Sequence, residues 1–327
     1  MSTITVGYDW STGDAKTFTA IATAIADAGT GAGDQLDIYA YTNTGARQWY
    51  TAELAVNKAI IISATLANGR QMLYGTTQLA VCSVAGVTIQ GFMYSAANSY
   101  GNIYFTHNTG TSTVQNCIGV GGACVQTNTS GGTTNIINCL FIGGAKAANT
   151  IYCVNGNMNL YHCTLFCAGT YGVKRDAGTC VVRNTVVVNT NGGGYTCFSG
   201  TFDASCSNNA STDNTHPNTG GGGVRLDRGQ SDAKFWMDQA SSAALGLRIH
   251  TGSALATAGA DLDIATDFYG RTRHATTPSI GYAEIWAMPS CPTADKILTG
   301  NSGVGIDGVT VNGTATSGGG TMAYAFG

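Results

Sequence analysis

Between residues 80 and 200 the chain alternates short apolar runs with Gly-, Asn- and Thr-rich turns, and the runs return at a nearly fixed interval. Four segments align: Val114-Gln115-Asn116-Cys117-Ile118-Gly119-Val120, Ile136-Ile137-Asn138-Cys139-Leu140-Phe141-Ile142, Leu160-Tyr161-His162-Cys163-Thr164-Leu165-Phe166 and Val182-Arg183-Asn184-Thr185-Val186-Val187-Val188. The central polar residue falls at 116, 138, 162 and 184, giving spacings of 22, 24 and 22. A weaker copy, Val87-Thr88-Ile89-Gln90-Gly91-Phe92-Met93, precedes them. A second apolar run recurs in step at Ile103-Tyr104-Phe105, Ala123-Cys124-Val125, Ile151-Tyr152-Cys153-Val154, Tyr171-Gly172-Val173 and Tyr195-Thr196-Cys197-Phe198. Each period therefore predicts two or three short strands separated by turns. The ordinary solution is an all-β solenoid, a parallel β-helix with one coil per repeat and neighbouring coils about 4.8 Å apart. Leucine-rich repeats share the period but need regularly spaced leucines, which this chain lacks.

Stacking sets equivalent residues above one another. Asn116, Asn138, His162 and Asn184 are expected to form a structural ladder at one corner, with amides bonding along it. His162 is read as a polar turn residue in which imidazole replaces the amide. Cys117, Cys139 and Cys163 form the adjoining column, continued by Thr185. Free cysteine packs as a small hydrophobe, so column packing is the expected role. Cys124, Cys153 and Cys197 recur near the other strand position. Disulfides between stacked coils are disfavoured, because about 4.8 Å exceeds the roughly 3.8 Å a disulfide wants between Cβ atoms. Cys206 and Cys291 are the better candidates for lateral or intersubunit bridges.

At the amino end, Phe18, Ile21 and Ile25 give a helical apolar face over residues 15–28. A capping helix there would cover the open first coil and its unpaired strand edges. Residues 34–41 read as the first strand and 56–64 as another. The four prolines, Pro217, Pro278, Pro289 and Pro292, all follow the repeats and remove no donor from them. The chain thus divides into an N-terminal cap and first coil (1–56), β-helix repeats (57–210), a closing region (211–289) and a small Gly/Thr-rich C-terminal β/coil extension (290–327).

Charge narrows the partners. The 327 residues carry 15 basic and 18 acidic side chains, a net charge of −3, and only 10% are charged, against roughly a quarter in an average domain. A phosphate-binding surface needs clustered Lys and Arg, so nucleic acid is not an expected partner. No apolar run is long enough to span a bilayer as a helix, and the opening residues lack the pattern of a secretory signal; no membrane partner is expected, and synthesis in a reducing cytoplasm is. The 11 cysteines include no CxxC pair, and His162, Cys163 and Cys167 are the only compact His/Cys group, so neither metal nor cofactor is expected.

Three stretches carry a resemblance. Phe18, Ile21 and Ile25 followed by Gly33-Asp34-Gln35-Leu36-Asp37-Ile38 are similar to the capping helix and first coil of the pectate-lyase-like right-handed parallel β-helix superfamily. Asp267-Phe268-Tyr269-Gly270-Arg271-Thr272-Arg273, then Pro278-Ser279-Ile280-Gly281-Tyr282-Ala283-Glu284, resembles the closing motif of bacterial and phage β-helix proteins, with Tyr282 in place of the usual alanine. Cys291-Pro292-Thr293-Ala294-Asp295, leading into Gly300 and a Gly/Thr-rich run, resembles short modules of tailed-phage structural proteins. The resemblance implies a right-handed solenoid on a virion, made in the host cytoplasm, with other virion proteins as partners and homotrimers as the common assembly.

Enzymes of that superfamily work with carboxylates, and glycoside hydrolysis needs a pair of them. From Val81 to Gly200 the chain has one carboxylate, Asp176, so the coils alone offer no catalytic pair. Lys174, Arg175 and Asp176 form the one charged cluster there, read as a solvated loop with surface contact as the alternative. The acids after residue 210, among them Asp227, Asp232, Asp238, Asp261, Asp263 and Asp267, are expected to be structural. The leading expectation is a non-enzymatic virion protein: a capsid decoration or a head or neck appendage. The alternative is a tailspike or receptor-binding protein that binds or depolymerises a host surface polysaccharide, which makes a glycan a further candidate partner.

Overall fold

The computed structural model describes residues 2–9, 14–15, 17–27, 29–39, 48–50, 53–64, 72–75, 78–96, 102–143, 149–189, 195–226, 235–236, 248–249 and 253–284. Within them the chain is a parallel β-solenoid with three faces. The first face stacks Thr3–Val6, Gln35–Ile38, Ile61–Ala64, Thr88–Gln90, Thr111–Gln115, the second halves of Val125–Ile137 and Asn149–Tyr161, and Thr179–Arg183. The second face stacks Leu54–Val56, Ala80–Cys82, Ile103–Phe105, the first halves of the two long strands, Tyr171–Arg175 and Thr196–Ser199. The third runs from Gln48–Tyr50 through Met72–Gly75, Met93–Ala96, Ile118–Gly121, Leu140–Gly143, Thr164–Cys167 and Val186–Asn189 to Ala210–Ser211 and Val224–Arg225.

Alternation within each strand sends every second side chain inward, and stacking turns the inward positions into columns. Leu36, Ile62, Ile89, Val114, Ile136, Leu160 and Val182 lie in consecutive register and are all buried. Ile103, Val125, Ile151, Val173 and Phe198 form the matching column of the second face. On the third face Leu73, Tyr94, Gly119, Phe141, Leu165 and Val187 stack inward. Gly119 is small for a reason: a Cβ there would stand 2.8 Å from atoms of both the Tyr94 and Phe141 rings. Each fully buried aliphatic side chain of such a column contributes about 1.5–3 kcal/mol.

Three local expectations change. The apolar segment 56–64 is two strands on different faces, Leu54–Val56 and Ile61–Ala64, because the chain must turn a corner every few residues to close a coil. Thr3–Val6 pairs in parallel with Gln35–Ile38, so the first strand lies ahead of the stretch 34–41. The helix is short, Ile21–Ala26, with Ile21, Ala24 and Ile25 buried in the main core. Phe18 lies before it, bridged to Val6 in extended backbone.

The outer surface of the third face is also covered. Ile118, Leu140, Phe166, Val186 and Val188 pack against Ile249, Leu255, Phe268, Ile280, Tyr282 and Ala283 in a second apolar core. The segment 253–284 therefore lies along the flank of the later coils. Small antiparallel pairs join Tyr8–Asp9 to Asp14–Ala15 and Phe235–Trp236 to Arg248–Ile249. The C-terminal extension 290–327 and Cys291 lie outside the described residues.

Candidate functional site

Between the first and third faces the chain turns through one residue in the left-handed region: Asn116, Asn138, His162 and Asn184 have φ of 53°, 53°, 51° and 52°. An L-residue meets its own carbonyl there, and asparagine tolerates this better than most. The weaker repeat uses Gly91 (φ 78°), where a Cβ would sit 2.2 Å from the Ala64 carbonyl oxygen. Asn208, with φ 53°, is a further corner residue that the pattern reading omitted. Its signal was available, since it stands 24 positions after Asn184, one of the spacings seen earlier in the repeat.

The corner amides turn toward the flanking segment. Asn138 Nδ2 donates to the Thr266 carbonyl at 2.8 Å, and its Oδ1 accepts from Arg273 at 2.8 Å. Asn184 Nδ2 donates to the Ala260 carbonyl at 2.6 Å while its Oδ1 accepts the Ala260 N–H at 2.8 Å. Asn208 Nδ2 donates to the Ala258 carbonyl at 2.8 Å. Along the corner itself, Asn184 Nδ2 stands 2.9 Å from His162 Nε2. These residues are thus a docking strip for 253–284.

The segment holds its shape through two ion pairs built from the Asp267–Glu284 motif. Asp267 accepts Arg271 Nε and Nη2 at 2.9 and 2.6 Å, and also the N–H groups of Tyr269, Arg271 and Glu284. Arg273 bonds Glu284 at 3.0 Å and reaches the Gly281 and Tyr282 carbonyls, while Glu284 accepts the Ser279 N–H and hydroxyl. Burial lowers the Arg273 pKa, and the charges of Glu284 and Asp267 oppose that shift. Asp267 and Glu284 are both engaged in ion pairs and hydrogen bonds within the segment. His162 is 1% exposed, and its pKa lies well below the ordinary value, first through burial and second through Arg273. The Ser279 and Gly281 carbonyls act in the opposite sense without offsetting this.

The column beside the corner has a hydrogen-bonding task as well as packing. Cys117, Cys139 and Cys163 each point Sγ at the carbonyl two residues back, at 3.3, 3.2 and 3.3 Å, and at a carbonyl of the preceding coil. The Thr185 hydroxyl does the same toward Arg183 and Leu160. Cys153 lies in register with Thr127 and Arg175, so it does not share the row of Cys124 and Cys197. Cys206, the candidate for a lateral or intersubunit bridge, is a buried free thiol set between the Cys180 carbonyl and the Val182 N–H. Among the described residues, no three His, Cys, Asp or Glu side chains converge as metal ligands.

Lys174, Arg175 and Asp176 stand on the second face. Lys174 is 3.1 Å from Asp176 and lies over the Tyr152 and Tyr171 rings, 5.0 and 5.6 Å from their centroids. The Tyr152 hydroxyl donates to Asp176, and this bond more than Lys174 lowers the carboxyl pKa. Arg175 turns back to the Gly178 carbonyl. Tyr104, Gln126, Tyr152 and Lys174 follow one another in register along the outside, and Asn128 bonds the Tyr104 hydroxyl at 3.1 Å. Comparison with known protein families, curated proteins and solved structures finds no match.

Proposed function

We propose that the chain is a non-enzymatic structural protein of a bacteriophage particle, a capsid decoration or a head or neck appendage that presents the solenoid on the particle surface. The observation that carries this reading is the fate of the carboxylates. The coils from Val81 to Gly200 have only Asp176, held by Tyr152 and Lys174, and the motif acids Asp267 and Glu284 are engaged in ion pairs. The resemblance of residues 291–300 to modules of tailed-phage proteins supplies the particle, and it makes 290–327 the attachment or trimer-contact segment. Removing 290–327 tests this: the truncated chain is expected to keep the circular dichroism and melting behaviour of the solenoid yet fail to join particles. Normal decoration by the truncated chain would overturn the assignment.

A second reading, a tailspike or receptor-binding protein, is favoured by the second face. Its row of Tyr104, Gln126, Tyr152 and Lys174, with Tyr171 beside it, offers aromatic faces and polar tips to a glycan. The two readings separate by location on the particle, head or neck against tail.

A further inference from the structure

We infer that His162 is an acid-sensitive latch: one proton taken up by its imidazole breaks the bond to Asn184 and loosens segment 253–284 from the flank of the solenoid. Asn184 Oδ1 accepts the Ala260 N–H at 2.8 Å and Nδ2 donates to the Ala260 carbonyl at 2.6 Å, so the amide is clamped and a flip would lose both bonds. Nδ2, 2.9 Å from His162 Nε2, is a donor with nothing to accept. Nε2 must therefore accept, which makes the ring neutral with its proton on Nδ1. A proton added at Nε2 sets N–H against N–H inside the docking strip.

Among the described residues no carboxylate is placed to compensate. On the flanking segment, Arg273 adds positive charge beside the ring, fixed by Asn138 and Glu284. Glu284 is engaged with Arg273 and Ser279, and Asp267 with Arg271. Asp261, Asp263 and His274 share with His162 a cavity of about 330 Å³, but all three are exposed, where water screens them. On the coil side the ring's neighbours along the corner, Asn138 and Asn184, are uncharged. The docked form thus resists the proton that a released imidazole takes up near its ordinary value of about 6.5. Because the released state binds more protons, the docked state is fully stable above that value and loses stability as pH falls below it.

Hydrogen exchange of the full chain between pH 7.5 and 5.0, corrected for the intrinsic pH dependence of exchange, reads this directly. The reporters are Ala260, whose N–H meets Asn184, and Gly281 and Tyr282, whose N–H groups meet the Asn184 carbonyl and Thr164. Opening of 253–284 is expected to rise about thirtyfold by pH 5, while amides of the buried coils stay unchanged. His162→Asn, which installs the residue used at the neighbouring corners, is expected to remove the rise. His274→Asn, at an exposed position, is expected to keep it, and it tests the latch even if the first variant folds poorly. A wild-type chain with no rise down to pH 5, an equal rise in His162→Asn, or loss of the rise in His274→Asn would overturn the inference.

Discussion

Asn184 concentrates the roles of a corner residue. It holds φ at 52°, is fully buried, and binds Ala260 and His162 through its amide. Replacing it with alanine leaves the Ala260 N–H and carbonyl without partners, at about 1–3 kcal/mol, and adds the left-handed penalty of about 1–2 kcal/mol. Glycine incurs the first cost without the second. Urea unfolding is therefore expected to rank wild type above Asn184→Gly and Asn184→Gly above Asn184→Ala; equal losses in the two variants would mean that backbone conformation is not part of the cost. The corner itself was legible in the sequence, because a single polar residue repeated at 22 to 24 positions. The direction of its amides was not. Asn138 bonds Thr266 and Arg273, 128 and 135 residues away, and no local period carries that information.

At the scale of elements, columns were easier to read than boundaries. The registers that align Val114, Ile136, Leu160 and Val182 follow from the repeat. The split of 56–64 into two strands does not, since an apolar run looks the same whether or not the chain turns within it. The flanking segment is the element on which the second core depends, and the Asp267–Glu284 motif sets its shape. Glu284→Gln leaves the buried Arg273 guanidinium without its charge partner, and loss of one member of a buried pair costs about 3–5 kcal/mol. The variant is expected to lose exchange protection over 253–284 while far-ultraviolet circular dichroism still reports stacked strands. Joint loss of both signals would instead make the segment a condition for the coils to fold.

For the whole molecule, the sparse charge of the sequence becomes a solenoid whose coils from Val81 to Gly200 carry one carboxylate and whose later flank is sealed by its own chain. The sequence pattern reached the solenoid because stacking repeats the same physical problem every coil. It did not reach the sealed flank, where partners come from a segment with no period. The functional proposal turns on where the molecule is found. Its most direct test is mass spectrometry of density-banded virus particles from the source culture, with heads separated from tails. The account predicts recovery with heads or necks at many copies per particle. Recovery with tails alone would replace it with the tailspike reading, and absence from particles would contradict both.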